Sequence, residues 1–279
     1  MRINANIAAI SASRNLMASN DNLGKSLEKL SSGYRVNRAA DDAAGLSISE
    51  GLRAEIRGNT QAQRNAQDGI SYIQTTEGAL TEVHAMLQRM RQLAVQAANA
   101  GTGDAGAAEQ HEADELLVEI KGIGDRTTFS GNKVFTDYGT SILSFQVGAH
   151  ASDMMTALSQ NLTLDPAVTN GIFTSALAVD LTSTSGAAAA LSVIDTAIDD
   201  VSLVRGALGA AQNRLEHTVA DLGVAVENLT ASESRIRNVD MAIEVVGYAR
   251  TRILTQAGTA MLSQANAAPR SILLLLQQA

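Results

Sequence analysis

The sequence predicts a mainly α protein: long antiparallel helices in a coiled-coil-like bundle, with a small β-hairpin region in the middle and discontinuous domains built from both chain ends. Three observations carry this reading. A three–four ladder runs through Ile194, Ile198, Val201, Arg205, Leu208, Gln212, Leu215, Val219, Leu222, Val226, Leu229, Glu233, Ile236, Asp240 and Ile243, and eleven of these fifteen positions are apolar. That is coiled-coil spacing, narrower than the stripe of an ordinary globular helix. Two prolines and no tryptophan in 279 residues suit unbroken helices with thin Ala, Leu, Ile and Val seams. Between the helical ends the hydrophobic period switches to two.

Segment 3–33 reads as the first helix, with a stripe of Ile3, Ile7, Ile10 and Met17 continued by Leu23, Leu27 and Leu30. Gly33 is its expected stop, because a C′ residue often takes positive φ. Residues 34–40 have no clear period and read as extended; Asp41 or Asp42 is then positioned to cap the next helix. That helix, 43–99, carries Leu52, Ile56, Ile70, Ile73, Leu80, Val83, Leu87, Met90 and Ala94. It would extend roughly 85 Å at 1.5 Å per residue. Gly58, Gly69 and Gly78 either weaken it or admit close neighbours. Asp104 is expected to cap a third helix over 105–126, with Leu116, Leu117, Ile120 and Ile123 inward.

In the middle, Leu143, Phe145 and Val147 alternate with polar residues, as do Leu177, Val179 and Leu181; Leu162 to Leu164 is a third candidate strand. All four Phe lie between 129 and 173, which predicts an aromatic cluster belonging to this β region. The helical code returns at Ser185, with Pro269 as its last expected break. The organisation expected is a terminal coiled-coil domain, 1–40 plus 238–279, and a helical rod domain, 41–237, with the β region at about 130–182.

Charge limits the function classes. The net −8 opposes a general nucleic-acid binder, and residues 131–200 concentrate acidity, with seven Asp against Lys133. The absence of cysteine removes disulfides and thiolate metal sites. The N-terminus lacks a continuous apolar signal core, and the longest apolar run, Ile272–Leu276, is too short to span a bilayer. Gly101–Gly106 matches GxGxxG but follows a helix, so it reads as a helix–helix turn. His111-Glu112 lacks the second zincin histidine, since position 115 is Glu; His84, His150 and His217 form no spaced cluster. Asn161 and Asn228 head sequons. No catalytic residue, cofactor or metal is expected, and no partner that is nucleic acid or membrane. Arg89, Arg91, Gln92 and Gln96 form a polar face opposite Val83, Leu87, Met90 and Ala94.

Several blocks together resemble bacterial flagellin. Met1 to Ile7 (MRINANI), Leu30 to Asn37 (LSSGYRVN), Asp41 to Gly45 (DDAAG), Gln61 to Leu80, Leu87 to Asn99 and Thr128 to Val134 match the family's N-terminal pattern. Ala231 to Val239 (ASESRIRNV), Asp240, Glu244, Ile253 to Gly258 (ILTQAG) and Leu262 to Asn266 match its C-terminal pattern. The likeness covers about 1–135 and 185–270, leaving some fifty residues between the helical halves, as in a minimal form without outer variable domains. The apolar Ile272–Leu276 and the ending Gln277-Gln278-Ala279, without a terminal basic residue, depart from the family's tail.

The resemblance implies a secreted structural subunit of the flagellar filament for motility, exported by the flagellar type III route. Its terminal helices would fold on polymerisation. The implied assembly seam is Ile3, Ile7, Ile10, Leu23, Leu27, Leu30, Ile243, Ile253, Leu254, Met261 and Leu262. Implied partners are further copies in a helical filament, an export chaperone, a filament cap, hook-associated proteins and host Toll-like receptor 5. The family's receptor contacts fall on Arg89, Leu93 and Glu112. A hook–filament junction protein shares these chain ends and is the alternative.

Overall fold

The computed structural model describes residues 6–99, 106–135, 143–158, 162–166, 171–173, 177 and 179–277. Among these are five helices: α1 (Ile7–Ser32), α2 (Ala43–Ala97), α3 (Gly106–Arg126), α4 (Thr184–Arg237) and α5 (Met241–Gln277). Two short antiparallel hairpins lie between α3 and α4. One pairs β1 (Thr128–Phe129) with β2 (Asn132–Lys133), the other β3 (Leu143–Gln146) with β4 (Met154–Leu158). The chain divides into two compact units, 1–56 with 227–279, and 57–226.

In the first unit α1 and α5 pack together antiparallel, Leu16 lying against Gly258 and Asn6 against Ala265. Asn6 caps α1 by accepting from the Ala9 N–H at 3.1 Å, and Gly33 ends it at φ 75°. The capping question at 41–42 resolves by division of labour. Asp42 accepts from the Gly45 N–H (2.8 Å) and caps α2, whereas Asp41 folds back onto the N–H groups of Asn37 and Arg38. Those backbone bonds, Arg38 first, hold the Asp41 carboxyl below its usual range. Asp240 accepts from Ala242 and Ile243 N–H and starts α5.

The ladder therefore does not continue to Ile243: α4 ends at Arg237, and Ile243 is exposed on the next helix. Pro269, expected as a break, lies inside α5. Ile3 lies outside the described residues, as do Asp104 and Gly101 to Asp104 of the glycine-rich turn.

The second unit has one core running through α2, α3, α4 and the hairpins. Arg91 meets Asp195, Glu77 meets Arg205 and Gly69 approaches Leu215, so positions rise along α2 as they fall along α4, and the helices are antiparallel. One row of the ladder is correct: Ile194, Val201, Leu208, Leu215 and Leu222 are buried. The other row is displaced. Ala190, Ala197, Val204 and Ala211 fill it, while Ile198, Arg205, Gln212 and Val219 lie on its half-buried flank. The buried second row is mostly alanine, so the apolar maximum in the sequence sits beside the seam.

The β region is smaller than its alternation suggested. Leu177, Val179 and Leu181 are buried or half-buried without being a strand, and so are Leu162 to Leu164. Their backbone partners lie elsewhere: the Gln110 amide donates to Val179 O (3.1 Å) and accepts from Leu181 N–H (2.6 Å), and Leu177 N–H donates to Pro166 O. Alternation here records burial under α3 without a ladder. The four phenylalanines also form no separate cluster. They belong to the helical core, with Tyr72 of α2 edge-on to Phe129 (5.6 Å) and Phe145 (6.3 Å).

Candidate functional site

Two surfaces stand out, one in each unit. The first is the α1–α5 pair. No residue of α1 is buried in this chain. Its half-buried stripe is Ala9, Ala12, Leu16, Ser19, Leu23, Ser26 and Leu30, and it faces Gly247, Thr251, Thr255, Gly258, Leu262 and Ala265 of α5. These small residues let the backbones approach. The larger apolar side chains point away: Ile7 is 66% exposed, Ile253 64% and Ile243 71%, and Ile10, Met17, Leu27, Leu254 and Met261 are also exposed. Of the residues named from sequence as the assembly seam, Leu23, Leu30 and Leu262 thus take part in the pairing within the chain; Ile7, Ile10, Leu27, Ile243, Ile253, Leu254 and Met261 do not. A groove of about 500 Å³ runs along the pair between Ala8, Asn15 and Ser19 on one side and Leu254, Ala257 and Met261 on the other. Exposed apolar area of this extent on paired helices marks an association surface.

The same unit holds a junction that sequence did not reveal. The breaks after α1 and after α4 are stitched to each other: Tyr34 and Asn238 form an antiparallel bridge, Arg35 N–H donates to Arg237 O (2.7 Å) and Val239 N–H to Gly33 O (3.0 Å). Arg237 donates to Glu50 at 2.8 Å and lies 4.7 Å from the Tyr34 ring centre. The Arg237 bond, with Arg53 second, holds the Glu50 carboxyl below its usual range. Glu233, which the ladder marked as a polar interruption, accepts from the buried Ser49 hydroxyl at 3.2 Å.

The second surface is the polar face of α2. Val83, Leu87, Met90 and Ala94 are fully buried beneath it, as the periodicity requires. Arg89 grips Glu112 of α3 with two bonds, Nε to Oε1 at 2.6 Å and NH2 to Oε2 at 3.1 Å. This hydrogen bond is the first cause of a Glu112 carboxyl below, and an Arg89 guanidinium above, its ordinary value. Leu93 does not share this surface. It is 2% exposed, with its side chain in the core, because it follows Met90 at three residues and Leu87 at six on the buried stripe. Leu93, onto which the resemblance places a receptor contact, is therefore a core residue of the free chain. Beside the pair, Arg91 donates to Asp195 at 2.6 Å and Gln96 to the buried Glu109 at 2.7 Å. Glu109, four residues into α3, is a buried carboxylate that no pattern in the sequence singled out.

Comparison with known proteins agrees with the architecture. The family profile for the bacterial flagellin N-terminal helical region matches residues 3–140, and that for the C-terminal helical region matches residues 191–276. Flagellin of Halalkalibacterium halodurans is 50% identical over 279 residues, covering 99% of this chain and 100% of the relative. Flagellin of Bacillus subtilis is 45% identical over 304 residues, with the same shares. Among solved structures, a putative flagellar hook-associated protein from Vibrio parahaemolyticus superposes with a TM-score of 0.57 at 17% identity, over 71% of this chain and all of that one, a likeness of fold alone.

Proposed function

From the premise that the chain belongs to the bacterial flagellin family, and so is a structural subunit of an extracellular motility filament, we propose that assembly completes the burial its terminal helices lack. The observation that carries this is α1: 26 residues, none buried, with its large apolar side chains facing outward. A helix so supported is marginal in water. Neighbouring subunits supply the missing surface, and the chain ends fold as they join. The outward positions are Ile7, Ile10, Leu27, Ile243, Ile253, Leu254 and Met261, with Ile3 as their sequence-level continuation. The contact is heterologous and generates an open helical lattice. The subunit has no catalytic role in this reading. An export chaperone, a filament cap and hook-associated proteins complete the set of partners.

Arg89, Leu93 and Glu112 are the proposed contacts for Toll-like receptor 5 in the free subunit, the exposed Arg89–Glu112 pair leading and Leu93 lying at the buried edge of the same helix. A hook–filament junction role is the weaker reading, since the two relatives above are flagellins over nearly the whole of this chain. Deletion of 1–33 tests the assembly mechanism. The truncated chain is expected to stay soluble and partly helical and to add nothing to filament seeds. Filaments grown from it would sink the mechanism.

A further inference from the structure

Pro269 has no backbone N–H, so the carbonyl four residues earlier, that of Ala265, loses its helical donor. α5 nevertheless continues to Gln277. The Ala265 oxygen is not left bare, because Asn6 Nδ2 donates to it at 2.7 Å. The other end of the same amide, Oδ1, accepts from the Ala9 N–H and caps α1. One side chain therefore satisfies an orphan donor at the start of α1 and an orphan acceptor in α5, 259 residues away.

We infer that Asn6 is the positioning residue that sets the register of α1 against α5, and that the proline at 269 creates the acceptor it reads. Every other carbonyl along that face of α5 has an N–H four residues on, so a slip of one turn would leave Ala265 unpaired and offer Asn6 an acceptor already in use. The rest of the contact is made by Ala, Gly, Ser and Thr with a few Leu, which discriminates poorly between registers. A single polar pair fixing register in an apolar seam is a familiar device of coiled coils. Neither the cap nor the proline alone would give this selectivity; the pairing of the two does.

The test separates the cap from the cross-helix bond. Asn6→Ser keeps a good cap but cannot span to Ala265. Pro269→Ala returns the N–H to α5 and makes the Asn6 donor redundant. Full-length wild type, the two single variants and the double variant are compared by hydrogen-exchange mass spectrometry of segments 6–20 and 258–270, in solution and in sedimented filaments. Asn6→Ser is expected to speed exchange about tenfold when Pro269 is present and to leave it unchanged in the Pro269→Ala background. Equal losses in both backgrounds, no loss in either, or a wild type unprotected in both states would overturn the inference. If Asn6→Ser prevents sedimentation, recovery of assembly in the double variant supports it, and failure of both contradicts it. A wild type that never sediments rejects the assembly mechanism instead, and exchange in solution then decides on Asn6.

Discussion

The guanidinium carbon of Arg237 lies 4.7 Å from the centre of the Tyr34 ring, joining the last residue of α4 to the first residue after α1's glycine stop. Arg237 is the better shielded partner of its ion pair, with a side chain 14% exposed against 55% for Glu50. Cation–π contacts gain strength with such desolvation. Tyr34→Leu and Arg237→Met are each expected to destabilise the 1–56 and 227–279 unit. A double-mutant cycle should return a coupling of about 1 kcal/mol. A coupling of zero by chemical denaturation would mean that the backbone bridge alone holds this junction.

The Arg89–Glu112 pair makes a pH prediction. The Glu112 carboxyl titrates below its ordinary 4.5 because the charged form is hydrogen-bonded by Arg89. Its folded pKa is depressed, so the contribution to stability is present above the unfolded value and is lost as pH falls through the folded one. The window therefore lies below about 4.5. Both side chains are about half exposed, so the effect on stability is small and best read by NMR titration of Glu112. Arg89→Ala should return that titration upward towards 4.5 and weaken binding of the free subunit to Toll-like receptor 5. Unchanged binding would remove the receptor assignment.

Leu208 and Gln212 occupy adjacent rungs of the ladder, yet Leu208 is fully buried and Gln212 only half so, with its amide bonded to Glu216. Leu208→Ala should cost about 2–5 kcal/mol, and Gln212→Ala no more than about 0.5 kcal/mol. Denaturant melts of the two variants compare them directly. Comparable losses would restore the register in which 198, 205, 212 and 219 form the seam.

What could be read from the chain follows from how local each signal is. The limits at Gly33 and at Asp42 before α2 were legible because those stops are written locally, whereas the break between Arg237 and Met241 was hidden by a ladder whose period runs across it. The seam's first row was legible because Ile194, Val201, Leu208 and Leu215 are large and apolar; its second row was not, because three of its four residues are alanines, which look neutral in sequence. The burial of Leu93 was legible for the same reason as the first row: it lies at the edge of the Leu87–Met90 stripe. Pro269 was misread because a proline's effect depends on whether another group takes its orphaned carbonyl. That group, Asn6, comes from the far end of the chain.

The glycines of α2 give a final test, because they differ in what surrounds them. A Cβ at Gly58 would lie 2.7 Å from the Ala149 Cβ and 3.1 Å from its Cα. Ala149 cannot readily give way. Its loop is tied by Val147 N–H to Asp153 O (2.9 Å), by the Gln146 amide to Gly148 O and His150 O, and by His150 N–H to Asp153 (3.0 Å). Gly58→Ala should therefore destabilise the 57–226 unit by about 1–3 kcal/mol through overpacking, detaching the β3–β4 loop from α2. At Gly78 a Cβ would meet nothing within 4 Å. There the helix gains propensity and the unfolded chain loses freedom, so Gly78→Ala should stabilise by about 0.5–1 kcal/mol. Opposite signs in thermal melts are the expected outcome. A destabilising Gly78→Ala would overturn the reading that this site is open.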